Sequence, residues 1–122
     1  MNVLPPVLAG RSVLIVEDQY LVAQAMCRSV EELQGHVLGP APNVAAALAI
    51  LDAETTHLAL LDVNLGEEKI FPVLSELNRR RIPFIFTTGY ESSALSPGHP
   101  AAPHLEKPVT TRALAEAVRK LL

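Results

Sequence analysis

Ser12-Val13-Leu14-Ile15-Val16-Glu17-Asp18 decides the fold. A short β-branched apolar run that stops on two acids reads as a buried strand with charge at its carboxyl end. The same pattern returns at His57 to Leu61, which ends on Asp62, and at Pro83-Phe84-Ile85-Phe86-Thr87. His36-Val37-Leu38-Gly39 is a weaker strand, ended by Pro40 and Pro42, and a short strand runs through His104-Leu105-Glu106 before Lys107-Pro108. Helical spacing fills the gaps. Leu21, Val22, Ala25, Met26, Val30 and Leu33 form one stripe, closed by Gly35 just past the helix end. Val44, Ala47, Leu48 and Leu51 form a second behind an Asn43 cap. Ile70, Val73, Leu74 and Leu77 form a third, with Pro72 tolerated in the first turn. Leu114, Val118 and Leu121 follow a cap at Thr110 or Thr111.

Alternating strands and helices imply a parallel sheet covered on both faces. For a chain of 122 residues the expected class is α/β, a flavodoxin-like (βα)5 doubly wound sheet. The order 2-1-3-4-5 is taken by fold analogy. Glu91 to Pro103 contains three prolines and no apolar stripe. The fourth helix is therefore expected to be short or disordered, with fast amide exchange over 91–102. Residues 1–10 read as a tail held extended by Pro5-Pro6, and residues 11–122 as one domain.

Composition narrows the function classes. Apolar residues make up 49% and charged residues 19%, which argues against disorder. The net charge of -3 speaks against a nucleic-acid partner. No apolar run approaches the roughly 18 residues needed to cross a bilayer, and the N-terminus does not resemble a signal peptide. Cys27 is the single cysteine, so no intrachain disulfide is possible and a reducing cytoplasm is expected. In its helix the thiol reads as inert packing. His36, His57, His99 and His104 share no metal-ligand spacing. Arg79-Arg80-Arg81 suits the dipole of a helix C-terminus and reads as a solvated end.

Ligands of open parallel sheets bind at the carboxyl ends of the strands, near the point where strand order reverses. Strands 1 and 3 are neighbours there, so Glu17, Asp18 and Asp62 converge. Thr87-Thr88 and Lys107 reach the same edge. Packed carboxylates repel unless a cation joins them, and an oxygen-only ligand set suits Mg2+. A lysine and a hydroxyl beside such a cluster can neutralise and hydrogen-bond a transferring phosphoryl group. The site reads as phosphoryl chemistry on a carboxylate, with Asp62 as nucleophile.

These segments, with Leu60-Leu61-Asp62-Val63-Asn64-Leu65, Phe86-Thr87-Thr88-Gly89 and Glu106-Lys107-Pro108, resemble the receiver domain of two-component response regulators. The resemblance implies that Asp62 accepts a phosphoryl group from a phosphohistidine on a histidine kinase. It implies Mg2+ at Glu17, Asp18, Asp62 and the backbone carbonyl of Asn64. Lys107 and Thr88 would contact the phosphoryl oxygens, Thr88 being preferred over Thr87 because it directly precedes Gly89. A cis bond between Lys107 and Pro108 is implied as well. Ile82 to Tyr90, with Phe71-Pro72-Val73, is similar to the signature of the FATGUY receivers, with Thr87 in place of an alanine. That subgroup includes single-domain receivers and hybrid-kinase tails linked to HWE-type kinases. His104 stands where most receivers carry a switching Tyr or Phe, and Gly66 where many have a proline. Tyr90 and His104 are the switch candidates.

The implied role is a phosphoacceptor signalling domain, not an enzyme acting on other substrates. It would switch a downstream protein or drain phosphate as a sink. A Mg2+-dependent haloacid-dehalogenase-type phosphatase is the alternative, but it would want a second Asp where Asn64 stands. A flavodoxin-like cofactor binder would need a phosphate-cradling loop where Glu17-Asp18-Gln19 stands.

Overall fold

The computed structural model describes residues 4–63, 70–89 and 103–122. Five strands form one parallel sheet: β1 Ser12–Val16, β2 His36–Ala41, β3 Leu58–Asp62, β4 Phe84–Thr88 and β5 His104–Glu106. Their order is β2-β1-β3-β4-β5, the expected doubly wound arrangement. Four helices are present among the described residues: α1 Tyr20–Glu32, α2 Val44–Ala53, α3 Phe71–Arg79 and α4 Thr111–Leu121. The segment expected to break the fourth helix of the pattern lies outside the described residues.

Strand side chains alternate between two cores. Leu14, Val16, Leu61, Phe84 and Phe86 pack with Ala47, Leu51, Val73 and Leu77 of α2 and α3. Val13, Ile15, Leu60 and Ile85 pack with Met26 and Val30 of α1 and with Leu114 and Val118 of α4. Both faces of β1, β3 and β4 are covered, which is why these strands read as unbroken apolar runs. The caps are side-chain oxygens. Asn43 accepts from Ala46 N–H at 2.8 Å, and Thr110, not Thr111, accepts from Ala113 N–H at 3.1 Å. Thr111 instead donates its hydroxyl to Glu32 and lies 3.2 Å from the Ser29 hydroxyl, tying α4 to α1.

Four sequence expectations change here. The N-terminal segment is neither extended nor free from residue 4 onward. Val7 N–H and Ala9 N–H turn back onto the carbonyls of Pro5 and Pro6, and Leu8 is wholly buried against the α1 side of the sheet. A single apolar residue carries no periodicity, so its burial left no pattern to read.

β2 does not stop before Pro40. It runs to Ala41 through a register shift, Leu14 facing Leu38 and Val16 facing Ala41. An edge strand tolerates a proline at such a bulge because its outer side needs no ladder donor.

The glycine at the end of α1 acts by closeness. The left-handed residue is Gln34, at φ 67, with Gly35 N–H reaching the Val30 carbonyl at 2.9 Å. A Cβ on Gly35 would meet Val30 Cγ1 at 2.8 Å and Leu8 Cβ at 3.0 Å. Lastly, Leu21 leaves the α1 stripe. It is 80% exposed and its neighbour Tyr20 is 73% exposed, while Ala23 and Ser29 are buried instead.

Candidate functional site

β1 and β3 are paired in register, Val16 facing Leu61. The next residue of each chain is an acid, so Glu17 and Asp62 stand side by side as the strands end. Both are buried, and Asp18 is exposed beside them. One carboxylate oxygen from each of Glu17, Asp18 and Asp62 lies within 4.8 Å of the others.

Lys107 closes the cluster from beyond β5. Its Nζ lies 2.7 Å from Glu17 Oε1 and 3.0 Å from Asp62 Oδ1. The backbone N–H of Gln19 donates to Glu17 Oε2 at 3.0 Å. Sequence reasoning missed this anchor, since a main-chain donor leaves no residue signature. Burial pushes the Glu17 carboxyl above its ordinary range. Contact with Lys107 and the Gln19 N–H oppose that rise, and the charge of Asp62 adds to it. Burial pulls Lys107 down, but its carboxylate partners outweigh that and hold it above its ordinary value. Glu17 Oε1 is buried, and its approach to Lys107 is an ion pair rather than an aligned hydrogen bond. An oxygen with spare acceptor capacity therefore faces the cluster. Three close carboxylates, one of them with such an oxygen, are a donor set that fits a hard divalent cation.

Thr88 ends β4, is buried, and its carbonyl accepts from Lys107 N–H at 2.8 Å. Thr87 is the register partner of Asp62. The Lys107–Pro108 peptide bond is cis. His104 pairs with Phe86 across β4 and β5, and the two rings lie 5.3 Å apart at 30°. Its Nε2 is buried without a hydrogen-bond partner among the described residues. The structure thus brings Glu17, Asp18, Asp62, Thr88 and Lys107 to one edge and sets His104 further back along the sheet. Asn64, Gly66 and Tyr90 lie outside the described residues.

His57 is a residue the spacing argument passed over. Its Nδ1 accepts from Ser12 N–H at 2.8 Å, at the opposite end of the sheet. It ties the starts of β1 and β3 together there. Cys27 is partly buried against the α1 core, and burial first, with Glu31 nearby, raises its thiol pKa, as inert packing requires.

The sequence matches the response regulator receiver domain family over residues 13–119. The chain belongs to that family. As a receiver, it resembles the solution structure of SdrG from Sphingomonas melonis Fr1, with a TM-score of 0.81 and 36% identity over 98% of this chain and 97% of that one. It also resembles the PhyR stress response regulator, with a TM-score of 0.79 and 28% identity over 92% of this chain and 45% of that one. The positive alginate biosynthesis regulatory protein of Pseudomonas aeruginosa is 35% identical over 114 residues, 89% of this receiver and 46% of that protein. The chain spans about half the length of the curated relatives it matches, 46% and 48%. The family match leaves the haloacid-dehalogenase alternative without support. No helix among the described residues is long and apolar enough to cross a membrane.

Proposed function

We propose that this receiver takes a phosphoryl group onto Asp62 from the phosphohistidine of a histidine kinase. The N–P bond of the donor breaks, a carboxylate oxygen of Asp62 forms the new O–P bond, and the released imidazole nitrogen takes up a proton. The observation that carries the reading is the single ammonium of Lys107 shared between Glu17 and Asp62, 2.7 and 3.0 Å away. That cation is already at the nucleophile, placed to follow charge onto the phosphoryl oxygens. Thr88 lies one residue beyond the register partner of Asp62 and would offer its hydroxyl to one of those oxygens.

Glu17, Asp18 and Asp62, with the Asn64 backbone carbonyl, are the residues that would hold Mg2+. When bound, the ion supplies positive charge against the incoming phosphoryl oxygens. The chain's own part is to hold Glu17 in place through Gln19 N–H and to keep the nucleophile partly shielded from water. Tyr20 and Leu21, exposed at the start of α1 just past Asp18, offer apolar surface for the phosphodonor protein. Membership of the FATGUY subgroup and an HWE-type kinase as donor belong to the same proposal. The Ile82 to Tyr90 signature, with Phe71-Pro72-Val73, supports it.

The domain would act in the cytoplasm as a self-phosphorylating and self-dephosphorylating module, with no other substrate. Its output would be a downstream protein contact or phosphate drainage, with His104 and Tyr90 as switch candidates. Incubation with acetyl phosphate and MgCl2 is the direct test. Intact mass should show one added phosphoryl group on the wild type and none on Asp62→Asn. Equal labelling of the Asn variant would remove Asp62 from the role.

A further inference from the structure

Thr87 presents a hydroxyl that the proposed chemistry does not use. The residue is 0% exposed, and its Oγ1 has no hydrogen-bond partner among the described residues. Buried hydroxyls are normally paired, so an unpaired one calls for an explanation. Valine has the same shape, suits a strand and would carry no such penalty.

The sheet register shows what lies next to it. Thr87 faces Asp62 on β3 and Leu105 on β5. In-register neighbours of parallel strands share a face. Ile85, two residues earlier, and Leu105 both belong to the core under α1 and α4. Thr87 therefore points to that side, and Asp62, two residues after Leu60 of the same core, shares it. Lys107 begins just past β5, yet its ammonium reaches acids at the ends of β3 and β1. Its side chain must cross β4, and Thr87 is the β4 residue level with Asp62. An ammonium has three N–H donors and no acceptor. The carboxylates of Glu17 and Asp62 lie 2.7 and 3.0 Å from it at rest, two ion-pair contacts for three donors.

We infer that Thr87 is a positioning residue for Lys107: its hydroxyl accepts the third ammonium N–H as Lys107 turns from the Asp62 carboxylate to the phosphoryl group. The unpaired state of Oγ1 then belongs to the resting protein, and the bond forms where the reaction needs the ammonium aimed. Lysine is a flexible point charge, so a fixed acceptor under its stem sets the direction of its remaining donors. This inference rests on the phosphoacceptor reading of Asp62.

The test uses the whole chain with acetyl phosphate and MgCl2, reading the initial phosphorylation rate by intact mass and the melting temperature without ligand. Thr87→Val is expected to melt at or above the wild type and to be phosphorylated on the order of 3- to 10-fold more slowly, the size of one net hydrogen bond. Thr87→Ser should return the rate to within about twofold, although serine packs less well than valine. A Thr87→Val rate equal to the wild type overturns the inference, as does equal slowing in Val and Ser. Should Thr87→Val fail to fold, Thr87→Ala against Thr87→Ser makes the same comparison. A folded wild type that takes no label would instead defeat the acceptor reading itself, and this inference with it.

Discussion

The two ends of the same strands obey opposite rules. At the amino end, Ser12 N–H donates to His57 Nδ1 and His57 N–H donates to the Ser12 carbonyl, each at 2.8 Å. Leu8 is wholly buried there, and its N–H reaches the Leu33 carbonyl at 3.1 Å. That end has one unpaired atom, the Thr56 hydroxyl, but no buried charge among the described residues. At the carboxyl end, Glu17 and Asp62 are both 2% exposed and share one ammonium. Buried carboxylates in excess of their cation oppose folding. The amino end therefore carries stability, and the carboxyl end gives some up to keep charge poised for an incoming group.

The largest expected effect comes from the amino end. Leu8→Ala removes a fully buried side chain and should cost about 2–5 kcal/mol. In a domain of this size that lowers the melting temperature by roughly 10 °C or more. Below its melting point the variant should still take label from acetyl phosphate like the wild type. A drop of only a degree or two would mean that the N-terminal segment does not staple this end.

The carboxyl end should respond with the opposite sign. With chelator present, Asp62→Asn is expected to melt above the wild type. Mg2+ binding only the folded state stabilises by about 1.4 kcal/mol at a free concentration near ten times Kd. That is a rise of about 3–7 °C for the wild type, and a smaller one for the variant. Glu17 adds a pH signature. Its folded pKa lies above the ordinary value of 4.5, so the folded state binds the proton more tightly. Its contribution to stability is therefore most favourable below the unfolded pKa and is lost as pH rises through the folded one. Glu17→Gln without metal should accordingly be more stable than the wild type at pH 7, with the difference closing as pH falls toward 4.5. The comparison of the two ends breaks if both acids prove stabilising in chelator.

The smallest effect returns to the amino end. Gln34 holds a left-handed conformation at φ 67 that glycine adopts more easily. Gln34→Gly should raise the melting temperature by about 1–4 °C, while Gly35→Ala, one residue on, should lower it. Equal and opposite results would exchange the roles assigned to the pair.

The carboxylate cluster was legible in the sequence because apolar runs announce where strands stop, and Glu17, Asp18 and Asp62 stand at the stops. Lys107 was legible in the same way, as the cation that follows the last strand, and the strand order by fold analogy. What stayed hidden depends on contacts without period. Leu8 is one apolar residue behind two prolines. Gly35 looked like a helix terminator, and only the approach of Val30 and Leu8 shows why it is glycine. Thr87 and Thr88 are the same letter twice, and only register puts Thr87 opposite Asp62. Pro40 looked like a strand end because proline donates no ladder N–H, and only the register shift shows how β2 passes it.

That edge has a consequence for life at high concentration. β2 forms one rim of the sheet, where exposed backbone could template the same strand of a neighbouring molecule. Pro40 offers no N–H to such a neighbour, and the register shift at Gly39 and Pro40 bends the rim away from the flat row that stacking requires. A parallel sheet forms late from distant pieces of chain and spends time with its edges open. A rim that refuses partners at its centre guards each copy against its siblings during that interval.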